Sequence, residues 1–211
     1  MKKYISRFHY LTQDLPDRTH LEQVQLACEA GANWIQYRCL TKTDEELVAE
    51  INQVAAVCDD WGTTLIITDH YHLLFDVDAQ GVHIENMHAD FKKIREQIGP
   101  DKTLGASANS FEDIGQLNLT NTVDYIGCGP FSVTQTKPNN FPLLGVTGYR
   151  NIMKKTLDEN ITTPIIAVGG IKIEDVEELM GTGIYGIAVS AAVNLADESS
   201  KAFKDFYRKL H

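Results

Sequence analysis

Short apolar runs alternating with longer amphipathic stretches set the plan of this chain. Phe8-His-Tyr-Leu-Thr12, Trp34-Ile-Gln-Tyr-Arg38 and Leu65-Ile-Ile-Thr68 are rich in β-branched and aromatic residues and too short for independent helices, so they read as strands. Gly81-Val-His-Ile84, Thr103-Leu-Gly-Ala-Ser107, Tyr125-Ile-Gly-Cys128, Pro164-Ile-Ile-Ala-Val168 and Gly186-Ile-Ala-Val189 repeat the pattern. Between them, Leu21, Val24, Leu26, Ala27 and Ala30 give one apolar helix face that stops at Gly31. Thr43-Asp44-Glu45-Glu46 opens a second helix with acidic residues in its first turn, and that helix runs to Trp61-Gly62. A short helix through Leu73-Leu-Phe75, one around Phe91–Ile98, a capped start at Ser110-Phe-Glu-Asp113 and a helix from about Val146 to Asp158 follow.

Near-continuous apolar strands alternating with amphipathic helices predict a parallel sheet covered on both faces. Eight such units point to a compact (β/α)8 TIM barrel, a single domain over residues 1–211. An open doubly wound sheet is the alternative, but no G-x-G-x-x-G follows the first strand. In a barrel, the chemistry sits on the loops after the strands, and that placement sorts the polar residues.

Composition narrows the function. With 43% hydrophobic residues the chain fills a sizeable core, while a net charge of −10 argues against a nucleic-acid or membrane surface. Any phosphate site must therefore be local. Four cysteines without a C-x-x-C pair, and an N-terminus without a signal-type apolar region, predict a reduced, cytoplasmic protein.

The stretch after the sixth strand carries Ser132, Thr134, Gln135, Thr136 and Lys137 within six residues. Hydroxyls and an ammonium so close together suit an anion. The seventh strand ends in Gly169-Gly170 and the eighth in Ser190-Ala191, small residues where a phosphate can approach backbone N–H groups. Gln36 and Arg38 share one side of the second strand, so Arg38 either offers a fork to the mouth or is held in a buried ion pair. Thr68-Asp69 ends the third strand with a carboxylate that could hold Mg²⁺ or cap a helix. His70, His72, His83 and His88, with Glu85 and Asp90, form a histidine-rich neighbourhood without a complete metal-ligand pattern.

These residues resemble the thiamine phosphate synthase family and its sister, the thiazole tautomerases. The resemblance runs from Phe8 to Ser190, and is most specific at Asp124-Tyr-Ile-Gly-Cys-Gly-Pro-Phe131, Thr134-x-Thr136-Lys137, Pro164-Ile-Ile-Ala-Val-Gly-Gly-Ile171 and Gly186-Ile-Ala-Val-Ser190. It implies a Mg²⁺-assisted enzyme that joins hydroxymethylpyrimidine diphosphate to a thiazole phosphate and releases pyrophosphate. By the same resemblance, Gln36, Arg38, Thr68, Ser107 and Lys137 serve the pyrimidine diphosphate. Thr134, Thr136, Gly169, Gly170, Ser190 and Ala191 serve the thiazole phosphate, and Asp69, with His88 at the second position, faces the metal. Arg38 and Lys137 take the catalytic role of stabilising the departing pyrophosphate.

Three positions depart from the family pattern. Leu40 replaces a lysine, which only Lys42 could make good from the loop; Thr68 replaces an asparagine; and His88 replaces a carboxylate, with Glu85 and Asp90 as nearby substitutes. Two other functions are therefore weighed: a thiazole tautomerase-like isomerase, and a non-catalytic protein that binds thiazole phosphate or thiamine phosphate. The expected partners are small phosphorylated molecules. Nothing in the sequence sets the oligomeric state, a homodimer being one option.

Overall fold

The computed structural model describes residues 3–134 and 141–210. Its strands are β1 (Phe8–Leu11), β2 (Trp34–Tyr37), β3 (Thr64–Thr68), β4 (Gly81–Ile84), β5 (Thr103–Ala108), β6 (Tyr125–Cys128), β7 (Ile165–Val168) and β8 (Gly186–Val189). They pair in sequence order, all parallel, and β8 returns to β1 to close the barrel. Around it run α1 (His20–Glu29), α2 (Asp44–Trp61), α3 (Phe91–Ile98), α4 (Phe111–Thr120), α5 (Gly145–Asp158), α6 (Val176–Met180), α7 (Ala191–Asn194) and α8 (Ser199–Leu210). The (β/α)8 expectation is met. The segment Tyr71–Phe75 is one 3₁₀ helix rather than an α-helix.

Local chemistry explains the helix starts. Thr19 with Glu22, and Thr43 with Glu46, form capping boxes in which each partner satisfies a backbone N–H of the other. Gly62 closes α2 at φ +64°, the left-handed conformation a glycine adopts without steric cost.

Two cores follow from closing the sheet. The larger lies between strands and helices; Val24, Ile51, Ile67, Leu104 and Phe203 are among its members. The smaller fills the barrel itself with Ile5, Trp34, Ile66, Tyr125, Ile166 and Ala188. His9 joins this inner layer, stacked on Trp34 at 4.5 Å between ring centroids and edge-on to Tyr125 at 5.0 Å. Its Nε2 lies 3.0 Å from the Ser6 carbonyl.

Burial, reinforced by the nearby His83 and opposed by the Ser6 carbonyl, pushes the pKa of His9 down to about 3. The native protein therefore keeps this ring neutral where an unfolded chain protonates it, near pH 6.5. The unfolded state binds the extra proton between those values, so stability falls as pH drops from about 6.5 toward 3, by up to ~1.4 kcal/mol per pH unit. Replacing His9 with Gln is expected to remove that part of the slope in urea unfolding measured at pH 7 and pH 4.5. Parallel slopes in the two proteins would contradict the neutral, buried His9.

Candidate active site

A cavity of about 670 Å³ opens at the C-terminal end of the barrel. Its floor is formed by His9, His83, Tyr125 and Ile166, the upper side of the inner core. Two groups of polar residues face each other across it.

On one side stand the ends of β2, β4 and β5. Arg38 is 7% exposed, and its guanidinium grips Glu85 in a fork, Nε to Oε1 at 2.8 Å and Nη2 to Oε2 at 3.3 Å. The buried ion pair held open by the sequence is therefore present, and both partners line the cavity. Glu85 takes the Nε and Nη2 edge, and no described residue accepts a hydrogen bond from Nη1. The backbone N–H of Arg38 donates to Thr12 Oγ1 at 3.0 Å, tying this strand end to β1. Gln36 donates from Nε2 to Thr68 Oγ1 at 2.9 Å, which leaves its carbonyl oxygen aimed elsewhere. Thr68 does not itself line the cavity but orients the residue that does. Ser107 Oγ lies 3.1 Å from His83 Nε2, and His83 Nδ1 lies 3.1 Å from the Tyr125 hydroxyl, so both ring nitrogens are engaged.

On the other side β6 and β7 leave the barrel backbone against backbone. Phe131 N–H donates to the Val168 carbonyl and Ser132 N–H to the Gly169 carbonyl, both at 2.9 Å. A Cβ on Gly129 would meet the Val168 carbonyl, one on Gly169 would lie 2.9 Å from Pro130 Cβ, and one on Gly170 would meet the Val133 carbonyl. Gly169 and Gly170 also sit at φ +96° and +69°, so glycine is required there twice over. The N–H groups of Gly170, Ser190 and Ala191 donate to no backbone carbonyl among the described residues. They, with Thr134, border the cavity. Ser190 Oγ is already spent, donating to Gln13 Oε1 at 2.9 Å and accepting from Asn194 Nδ2 at 3.2 Å.

Thr136 and Lys137, with Gln135, lie outside the described residues. Several others take up different partners from those anticipated. Lys42 does not reach the mouth, because its Nζ pairs with Glu50 at 2.7 Å. Asp90 caps α3 by accepting from the Lys93 N–H at 3.1 Å. Asp69 sits at φ +62° with Oδ1 accepting the Glu85 N–H at 2.7 Å, so its carboxylate is tied to the β4 loop rather than capping a helix. His88 is exposed on the rim of the cavity. The histidine-rich neighbourhood divides: His70 and His72 gather around Asp44, at 3.6 and 2.8 Å, while His83 points into the barrel.

Sequence reasoning missed the roles of Gln13 and Asn194 behind Ser190, and of Lys172 at the cavity edge. Asn194, one helical turn beyond Ser190, was the available signal.

Taken together, the fold and this mouth define a (β/α)8 barrel with a cavity at the C-terminal ends of its strands, bordered by polar strand ends and by backbone N–H groups. A family model described as thiamine monophosphate synthase matches residues 9–193, and the chain belongs to that family. It is similar to the thiamine-phosphate synthase of Phocaeicola vulgatus, 35% identical over 87% of this chain and 88% of that protein. The thiamine-phosphate synthase of Flavobacterium johnsoniae is 32% identical over 98% of this chain and 97% of that protein. Among solved structures, thiamine phosphate pyrophosphorylase from Pyrococcus furiosus superposes with a TM-score of 0.82 at 26% identity, covering 97% of this chain and 95% of that one.

The backbone cup yields a direct test. Gly170→Ala forces a Cβ against the Val133 carbonyl and strains a left-handed residue. Affinity for inorganic phosphate, measured by calorimetry, is expected to fall at least about tenfold, a loss of at least ~1.4 kcal/mol, while circular dichroism stays native. Unchanged affinity would place the anion elsewhere.

Proposed function

We propose that this protein is a thiamine phosphate synthase, a transferase that condenses hydroxymethylpyrimidine diphosphate with a thiazole phosphate and releases pyrophosphate. One observation carries the reading: the Gln36–Arg38 strand end and the Gly169–Gly170/Ser190–Ala191 backbone face a single cavity. A reaction between two phosphorylated molecules is served by two anion sites opposed across one space, here with a largely aromatic floor between them. Family membership over residues 9–193 supports the same chemistry.

Each residue then has a task. Gln36, fixed by Thr68, offers its carbonyl oxygen to the amino group of the pyrimidine. Ser107, held at His83, borders the ring's place on the floor. The free edge of Arg38 meets the diphosphate, where negative charge accumulates as the bond to the pyrimidine methylene breaks. A cation oriented in advance by Glu85 stabilises that charge more than the ground state, and this lowers the barrier. The Gly170, Ser190 and Ala191 N–H groups hold the thiazole phosphate, so that the ring nitrogen faces the carbon losing its leaving group. Thr134, and by the family pattern Thr136, extend this grip, while Lys137 by the same pattern serves the diphosphate and its departure.

The oxygen donors at this edge fit Mg²⁺, with Glu85 lining the cavity and Asp69 just outside its lining. Asp69 and Glu85 stand at adjacent strand ends joined by a 2.7 Å hydrogen bond from the Glu85 N–H to the Asp69 carboxylate, and Mg²⁺ combines one or two carboxylates with substrate phosphates. His88, exposed and nitrogen-donating, fits that ion poorly. Asp69 would therefore hold it, and the ion, when bound, supplies positive charge to the departing pyrophosphate. The four cysteines are free, which accords with a reducing cytoplasm.

Incubating the purified protein with both substrates and Mg²⁺ is expected to yield thiamine phosphate and pyrophosphate. Arg38→Ala should lower kcat/KM by roughly 30- to 150-fold, corresponding to ~2–3 kcal/mol for a charged hydrogen-bonded contact, with the fold retained. Binding of both ligands without product would make the chain a non-catalytic binder. Isomerisation of a thiazole phosphate alone would place it with the tautomerases.

A further inference from the structure

Behind the active-site mouth, the turns after β1 and β2 bring together three side chains that the proposed synthase reaction does not use. Asp14, His20 and Cys39 place a carboxylate oxygen, an imidazole nitrogen and a thiol sulfur within 4.8 Å of one another. None of the three lines the cavity. His20 and Cys39 are 4% and 3% exposed, whereas Asp14 faces solvent.

The arrangement converges on one atom. Asp14 Oδ1 lies 3.2 Å from His20 Nε2 and 3.3 Å from Cys39 Sγ, and it also accepts from Thr41 Oγ1 at 2.9 Å. Leu40 N–H fixes the other carboxylate oxygen at 3.0 Å. A tetrahedral Zn²⁺ with bonds of ~2.0 Å to oxygen and nitrogen and ~2.3 Å to sulfur spans ligand–ligand edges of roughly 3.3 and 3.5 Å. The two observed separations therefore need little adjustment for an ion to replace the protons between these atoms. The outer partner is also in place. His20 Nδ1 lies 2.8 Å from Thr12 Oγ1, the oxygen a ligating imidazole needs for its second N–H. Exposure of Asp14 supplies a route of entry, and a thiol with an imidazole selects a borderline-soft ion over Mg²⁺.

We propose that Asp14, His20 and Cys39 form a transition-metal site of the Zn²⁺ class, closed by a water or by Thr41 as fourth ligand. Binding replaces the Cys39 thiol proton, which goes to solvent, and turns the His20 tautomer so that Nδ1 donates to Thr12. Because Thr12 Oγ1 also accepts the Arg38 N–H at 3.0 Å, the ion would be anchored to the strand end that carries Arg38. The proposal does not rest on the synthase reading.

The test uses the full-length chain stripped of metal and titrated with Co²⁺ and, separately, Zn²⁺. One ion per chain is expected, with a thiolate-to-Co²⁺ charge-transfer band in the near ultraviolet and release of a proton. Cys39→Ser should abolish the band, and Cys39→Ser and Asp14→Asn should each weaken Zn²⁺ at least about tenfold. Asp14 is exposed, so Asp14→Asn decides the matter even where Cys39→Ser fails to fold. A missing charge-transfer band, unchanged Zn²⁺ affinity in Asp14→Asn, or binding lost only on His70→Ala or His72→Ala would overturn the proposal.

Discussion

The mouth of this barrel depends on backbone lying directly against backbone where β6 and β7 leave the sheet. Gly129 packs against the Val168 carbonyl and Gly170 against the Val133 carbonyl, with no room for a Cβ at either position. The two exits are then stitched by the hydrogen bonds from Phe131 and Ser132. This approach brings to the cavity edge the Gly170 N–H, which donates to no backbone carbonyl among the described residues.

Charge is managed locally, in a protein of net charge −10. Arg38 lines the cavity while Glu85 holds it bidentately, and an unpaired guanidinium so buried would be costly. Pairing by Glu85 uses one edge and preserves another, which gives both stability and a fixed direction. The same economy appears at Thr12, whose hydroxyl serves the Arg38 N–H and the His20 ring. Beneath, the layer of His9, Trp34 and Tyr125 is buried and closely stacked, so the polar groups above it act across a surface of low dielectric.

The barrel was legible because its signals are local. Apolar runs such as Leu65–Ile67 and Ile165–Val168 are buried on both faces, and the acidic opening at Thr43–Glu46 and the capped start at Ser110 mark helix starts within four residues. Gly169-Gly170 was legible for the same reason: a pair of glycines at a strand end advertises a backbone need. What stayed hidden depends on partners far apart in sequence. Arg38 and Glu85 are 47 residues apart, and the pairing exists only because β2 and β4 end at the same rim. Lys42 offered a cation on the right loop, but Glu50, in the second turn of α2, takes it first. Asp90 could stand for a missing metal ligand on paper, yet its position just before α3 makes it a cap. His88 and Leu40, where the family pattern changes, lie on exposed loop positions, and loops tolerate such changes while the strands beneath keep their register.

The central claim is that one cavity holds both halves of the product, with the phosphate on the β7 and β8 exits and the pyrimidine beside β2. A crystal structure of the protein with thiamine phosphate tests it most directly. The account predicts the phosphate oxygens within hydrogen-bond distance of the Gly170, Ser190 and Ala191 N–H groups, and the pyrimidine amino group at the Gln36 carbonyl oxygen. A phosphate bound away from those glycines, or a pyrimidine turned from Gln36 toward solvent, would contradict it.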